Sequence, residues 1–397
     1  MKLAQRAVNI SPSPTFAIDG KAKQMKAAGI KVINFGVGEP DFETPENIKA
    51  AAIEAIKAGE TRYTPAGGTL KLKQAIVDKL FRENGLEYQT NQITVSVGAK
   101  HSLYNAFQVL CEPGDEVILP APYWVSYIEQ IKLSGAEPVI LPTRQENDFK
   151  LTPKELEQAV TPKTKVLLLN SPSNPTGSVY SREELAALGE VLTKHNITIV
   201  SDEIYEKLLY DGLEHVSIAA ISPELKENTV VINGVSKAYA MTGWRIGYCA
   251  APAPVAKAIS DLQSHSTSNP TSISQVASVV ALSGPQETVS EMVAEFEKRR
   301  DYMLERLTSI AGVTCPKPNG AFYLFPDVSA YFGKSYQGKA INDGAELANL
   351  LLEIAEVAVV PGVAFGSDDN IRLSYATSME NIKEGLDRIE KFLAELQ

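Results

Sequence analysis

Cysteine, histidine and tryptophan are scarce in this sequence, at three, four and two among 397 residues. Cys111, Cys249 and Cys315 lie far apart and form no C-x-x-C pair, so neither a disulfide framework nor a thiolate metal site fits them. Four histidines add little metal-ligating capacity, and no metal site is expected. A run of about 18 apolar residues, long enough to cross a membrane, is also missing. Lys2 and Arg6 are followed by no apolar stretch of the signal-peptide kind, so the expected setting is reducing and cytoplasmic. Positive charge is short too. Lys and Arg number 38 against 48 Asp and Glu, and the formal charge of -10 opposes binding to nucleic-acid phosphates or anionic lipid. Internal repeats, low-complexity tracts and Gly/Ser linkers are absent.

What remains is an ordinary globular composition, 44% hydrophobic and 22% charged, in a chain long enough that two domains are the first expectation. Residues 44–58 read as a capped amphipathic helix with Ile48, Ala52 and Ala55 on one face. Short apolar runs follow at Ile93–Val97, Glu116–Leu119, Pro138–Leu141, Lys165–Leu169, Ile197–Val200 and Thr229–Ile232. Helical patterns separate them, among them Ser181–Lys194, which opens with a capping box of Ser181 and Glu184. This alternation predicts an α/β fold with a mostly parallel sheet covered by helices on both faces, and ligands beyond the strands' carboxyl ends. From about residue 286 the pattern changes to a long helix carrying Val289 to Ile310 and stopped near Gly312. A smaller α+β domain is expected there, with strands at Phe322–Phe325 and Val357–Val360, a helix at Ala345–Ala355 and a final helix capped by Thr377 and Glu380.

Three segments directly after apolar strands carry candidate chemistry. Lys237, in Ser-Lys-Ala-Tyr-Ala-Met-Thr-Gly-Trp-Arg, is placed either to form a Schiff base with an aldehyde cofactor or simply to sit in solvent, with Arg245 as a partner for an anion or an ordinary ion pair. Asn174 lies in Asn-Ser-Pro-Ser-Asn-Pro-Thr-Gly, which alone reads as a loop. Asp202, in Ser-Asp-Glu-Ile-Tyr, is a turn cap or a site acid. All three fall at the same edge of one sheet.

With these segments the sequence resembles the class I and II aminotransferases, the fold-type-I enzymes dependent on pyridoxal 5'-phosphate, and most closely their bacterial and plastid aspartate aminotransferase branch. The resemblance spans nearly the whole chain. It rests also on Gly-Val-Gly-Glu-Pro-Asp-Phe at 36–42, Tyr63 in Arg-Tyr-Thr-Pro-Ala-Gly-Gly, Gly98-Ala99-Lys100, Pro-Tyr-Trp-Val-Ser-Tyr at 122–127 and Ile-Arg-Leu-Ser-Tyr-Ala at 371–376. It implies a large cofactor-binding domain over 41–289, a small domain built from 15–40 and 290–397, and an N-terminal arm over 1–14.

The resemblance also implies roles. Lys237 anchors the cofactor and moves the substrate proton; Asp202 faces the pyridine nitrogen; Asn174 and Tyr205 bond the phenolic oxygen; Trp124 stacks on the ring. Gly98, Ala99 and Lys100 open a helix whose N–H groups hold the phosphate, joined by Ser236, Arg245 and, from the other subunit of a homodimer, Tyr63. Arg372 grips the substrate α-carboxylate, with Gly38 near it, so that dicarboxylate binding draws the two domains together.

The distal carboxylate is less defined, because the stretch at 264–271 lacks the arginine of the animal and enteric enzymes. Lys100 and Thr15 are the implied substitutes, with Ser266 or Thr267 as helpers from the other subunit; Lys100 is equally readable as a phosphate or surface charge. Expected is amino transfer between L-aspartate and 2-oxoglutarate by a ping-pong route. Prephenate or aromatic amino acids are the alternative, which Ser11 disfavours, since it stands where some such enzymes carry a basic residue. A cofactor-sensing regulator is disfavoured by motifs that begin by about residue 10, and a silent scaffold or carbon–sulfur lyase by the intact Lys237, Asp202 and Arg372.

Overall fold

The computed structural model describes residues 1–11 and 14–397. Seven strands form the main sheet: β1 (Ile93–Ser96), β2 (Glu116–Ala121), β3 (Glu137–Pro142), β4 (Thr164–Asn170), β5 (Thr198–Asp202), β6 (Thr229–Gly234) and β7 (Gly247–Ala250). Their order is β1-β7-β6-β5-β4-β2-β3. The pairings from β6 through β3 are parallel, and β7 runs antiparallel to both of its neighbours.

Alternate residues of the central strands enter different cores, because successive side chains point to opposite faces. Val117, Leu119, Val166, Leu168 and Val200 pack with Leu103 and Phe107 of the helix Ala99–Leu110. Ile118, Leu167, Leu169 and Ile199 pack with Leu185, Leu188 and Leu192 of the helix Arg182–Lys194. Burial on both faces is why these strands read as continuous apolar runs. The capping box at Ser181 and Glu184 is formed as expected and stabilises that second helix by about 1 kcal/mol.

A smaller sheet lies apart from the first: β8 (Tyr323–Leu324), β9 (Val360–Pro361) and β10 (Ile371–Ser374), antiparallel in the order β9-β10-β8. Ile33–Asn34 pairs in parallel with Val357–Ala358, so the two ends of the chain meet. The helices Glu287–Thr308 and Met379–Ala394 pack against each other beside this sheet.

Four local expectations are corrected. The strand expected over Val357–Val360 is two strands in different sheets, broken at Val359. The long helix ends at Thr308, so Ile310 is buried beyond it. The last helix is capped by Ser378, whose side chain accepts from the Asn381 N–H, while Thr377 accepts from the Asn381 side chain. The helix Glu46–Lys57 buries Ile48, Ala52 and Ala55 as expected but has no side-chain cap, because Thr44 donates its hydroxyl to the Ala240 carbonyl.

Candidate active site

The carboxyl ends of β1, β2, β4, β5 and β6 open on one cavity of about 550 Å³. Lys237, Asp202, Asn174, Tyr205, Ser236, Arg245, Ala99, Lys100, Trp124, Gly38, Arg372 and Thr15 all line it. Lys237 stands three residues beyond the end of β6, and its Nζ donates to the Gly38 carbonyl at 2.6 Å. Burial pushes its amine down to about 8, against a smaller opposing pull from the Glu39 charge. That leaves a substantial neutral fraction near pH 8, as a nucleophilic amine requires.

Asp202 closes β5 and is 3% exposed. Burial pushes its carboxyl up to about 6, although Tyr127 donates to its Oδ2 at 2.7 Å and the Ile204 N–H to its Oδ1 at 3.2 Å. A buried carboxylate with no cation bonded to it is expensive, and a cationic partner arriving in the cavity would lower that cost.

At the other wall Gly98 precedes the helix Ala99–Leu110 with φ +86, a left-handed value that glycine alone adopts without strain. A Cβ there would lie 2.2 Å from Arg245 Nη2, and one on Gly247 would lie 2.1 Å from the Ala99 nitrogen. Two missing side chains thus let a guanidinium and a helix N-terminus come together. The first N–H groups of a helix have no acceptor within it, so with Arg245 and buried Ser236 they make an anion cradle.

Arg372 comes from β10 of the smaller sheet and is 2% exposed. Its Nη1 donates to Asn174 Oδ1 and its Nη2 to the Gly36 carbonyl, both at 2.9 Å, while its buried Nε has no partner. The guanidinium carbon lies 4.4 Å from the Tyr323 ring centroid and 4.9 Å from that of Phe365. Burial lowers its pKa from the usual arginine value. A planar, aromatic-clamped cation with a spare N–H and no carboxylate beside it is suited to a carboxylate from outside the chain.

The geometry unites a partly buried amine, a buried acid, an anion cradle and a buried guanidinium, and the sequence family described as "Aminotransferase class I and II" matches residues 30–389. The chain belongs to the class I and II aminotransferases. It is 55% identical over 393 residues to the aspartate aminotransferase of Geobacillus stearothermophilus, covering 99% of both chains. It is 51% identical over 396 residues to the aspartate/prephenate aminotransferase of Cereibacter sphaeroides, again covering 99% of both. Superposition on the crystal structure of the aspartate aminotransferase from Rhizobium meliloti gives a TM-score of 0.97, with 46% identity and complete coverage of both chains.

Within this aminotransferase the expected residues also bond one another or stand outside this chain's own cavity. Asn174 is engaged by Arg372, Tyr205 shares a 3.0 Å hydrogen bond with Tyr323, and Gly38 offers its carbonyl to Lys237. Lys100 is exposed at the rim, with its Nζ 4.7 Å from the Trp124 ring centroid. Desolvation, with the Arg245 charge second, lowers the Lys100 pKa. Tyr63 is 91% exposed and, like Ser11, Ser266 and Thr267, absent from this chain's cavity; the Ser266 hydroxyl donates to the Gln263 carbonyl and the Thr267 hydroxyl to the Ser268 carbonyl.

Sequence reasoning missed Tyr127 and Tyr323. Tyr127 ends the 122–127 motif but looks like a core aromatic, and Tyr323 sits in the apolar run Ala-Phe-Tyr-Leu-Phe, where no spacing separates it from its neighbours. Glu39 was missed as well: it accepts from the Thr242 hydroxyl at 2.7 Å and lines the cavity.

Proposed function

We propose that this aminotransferase exchanges the amino group of L-aspartate with 2-oxoglutarate on pyridoxal 5'-phosphate by a ping-pong route. One observation carries the reading: buried Asp202 and Arg372 and partly buried Lys237, charge-bearing side chains with no salt bridge among the described residues, line the same cavity. The anion cradle at Gly98 and Arg245 fits a phosphate, and the raised Asp202 carboxyl fits a protonated ring nitrogen. When bound, pyridoxal phosphate supplies an aldehyde that condenses with amines and a ring that takes up the electron pair left by a broken Cα–H bond.

The chain's own residues do the rest. The N–H groups of Ala99 and Lys100, with Ser236 and Arg245, hold the phosphate. Trp124 covers a ring face, and Asn174 and Tyr205 face the ring oxygen. Asp202, steadied by Tyr127, keeps a proton on the ring nitrogen. The Lys237 amine, set free by an incoming substrate amine, takes the proton from Cα and would deliver it to the carbon that was the cofactor's aldehyde. Arg372 fixes the α-carboxylate, and Lys100 with Thr15 faces the distal one.

Arg372 and Lys237 come from different sheets, so a dicarboxylate bridging them draws the unit of 15–40 and 290–397 toward that of 41–289 and excludes water. A homodimer belongs to this reading, with Tyr63 completing the neighbouring cradle; exposed Ile53, Ile56 and Leu70 supply apolar surface for such a contact. Cytoplasmic residence is supported by three free cysteines, two of them buried. No helix among the described residues is long and apolar enough to cross a membrane.

Single-turnover spectra of the loaded enzyme test the substrate. Aspartate and glutamate are expected to convert the cofactor faster than prephenate or phenylalanine. The reverse order would reassign the enzyme to the substrate class of its aspartate/prephenate relatives.

A further inference from the structure

The turn that follows β5 has two working sides. Asp202 and Tyr205 line the cavity, whereas Glu203 and Glu206 are buried away from it, at 1% and 9% exposure. Glu203 Oε1 accepts from Ser201 Oγ at 2.9 Å and from Ser217 Oγ at 2.6 Å, and its Oε2 lies 3.0 Å from His215 Nε2. Glu206 pairs with Lys79 and accepts from Asn84 Nδ2 at 2.9 Å; Lys79 also donates to Asn84 Oδ1 at 2.8 Å. The rear of the turn is therefore joined to the helix Leu70–Asn84 and to the segment 215–217, where Ser217 caps the helical turn Ile218–Ala220.

The aminotransferase chemistry above uses none of these groups. Burying an ionised carboxylate is costly unless its oxygens are bonded, and an apolar side chain would fill the same space more cheaply. What the carboxylate adds is direction. Bonds from Ser201, Ser217 and His215 fix both the place and the rotation of Glu203, which apolar packing leaves looser. Burial works against a charge on His215, yet Glu203 and Glu206 outweigh it and raise its affinity for a proton. The backbone carries the constraint forward: the Glu203 N–H donates to the Ile232 carbonyl at 2.9 Å and the Glu206 N–H to the Glu203 carbonyl at 3.0 Å. Asp202 and Tyr205 flank Glu203 within that stretch.

We propose that Glu203 is a positioning residue: held from behind by Ser201, Ser217 and His215, it sets the rotation of the turn that aims Asp202 and Tyr205 into the cavity. The inference rests on reading that cavity as the pyridoxal phosphate site. It is tested by titrating apo-chain with pyridoxal phosphate and by steady-state kinetics of the loaded enzyme. Glu203→Ala is expected to weaken cofactor affinity and lower kcat by about tenfold each, with KM for aspartate within about threefold. Glu203→Gln keeps an acceptor oxygen for the two serines and is expected to bring cofactor affinity back to within about threefold of the unsubstituted chain.

A folded Glu203→Ala chain with unchanged kcat and cofactor affinity would overturn the proposal, as would a Gln variant no better than Ala. If Glu203→Ala does not fold, Ser217→Ala carries the test, with cofactor affinity about threefold weaker expected and unchanged affinity contradicting it. Failure of the unsubstituted chain to take up the cofactor would instead remove the proposed function itself.

Discussion

The two halves of the cavity are built differently. Lys237, Asp202, Asn174, Ser236 and the Gly98 cradle stand at the ends of strands in one seven-stranded sheet, each within a few residues of a buried ladder. Arg372 comes from a four-residue strand of the smaller sheet, and Gly36 and Gly38 from the stretch after Ile33–Asn34. The first half holds its groups at fixed separations, as the cofactor needs throughout turnover. The second is joined to it at the cavity by Arg372 to Asn174 and Lys237 to the Gly38 carbonyl, and away from the cavity by links such as Arg300 to Asp211 and the Ala321 N–H to the Leu208 carbonyl. A rigid cradle facing a separate clamp is the arrangement the proposed function calls for, one side for a retained group and the other for an exchanged one.

Substitutions that divide the halves test this contrast. The largest effect is expected from Lys237→Ala in the cradle: loss of the lysine–cofactor absorption band and a fall in transamination of about a thousandfold or more. A yellow, active variant would break the assignment. Arg372→Lys in the clamp keeps the charge but loses the planar fork, and kcat/KM for aspartate should fall about a hundredfold. Cofactor uptake should remain close to that of the unsubstituted chain. Parallel loss of cofactor would show that the halves are not separate.

Tyr127→Phe is a smaller probe of the cradle. It removes the 2.7 Å hydrogen bond that holds the Asp202 carboxyl down, so that carboxyl should rise further above about 6 and cofactor affinity should weaken about tenfold. The smallest effect is one of pH. In the free chain the Lys237 amine is held near 8 and only its neutral form attacks an aldehyde, so the rate of cofactor capture should climb with pH and level off above about 8. A rate still climbing about tenfold per pH unit through pH 9, stopped-flow absorbance being the readout, would contradict that lowered value.

The same contrast governs what the sequence reveals. The central strands are legible because both faces are buried and the apolar runs are uninterrupted, and their following loops could be found by position alone. The resemblance, not periodicity, singled out Arg372: Ile-Arg-Leu-Ser is too short to show a period, and its arginine is buried among aromatics. Val357–Val360 looked like one strand because a change of sheet at Val359 leaves no mark on an apolar run. Thr44 and Thr377 have the chemistry of helix caps, but tertiary partners took the first hydroxyl and the adjacent Ser378 displaced the second. Glu203, Glu206 and His215 were silent because charged or polar residues in a loop read as solvated; only the fold shows that Asp202 and Tyr205 line the cavity while Glu203 and Glu206 lie behind it.

The central claim is that Lys237 and Asp202 grip pyridoxal phosphate at opposite ends within one cavity. It is tested most directly by the absorption spectrum of apo-chain incubated with pyridoxal phosphate, freed of excess, and read before and after addition of aspartate. The account predicts a visible lysine–cofactor band that aspartate bleaches and 2-oxoglutarate restores. A chain that retains no cofactor, or a band indifferent to aspartate, would contradict it.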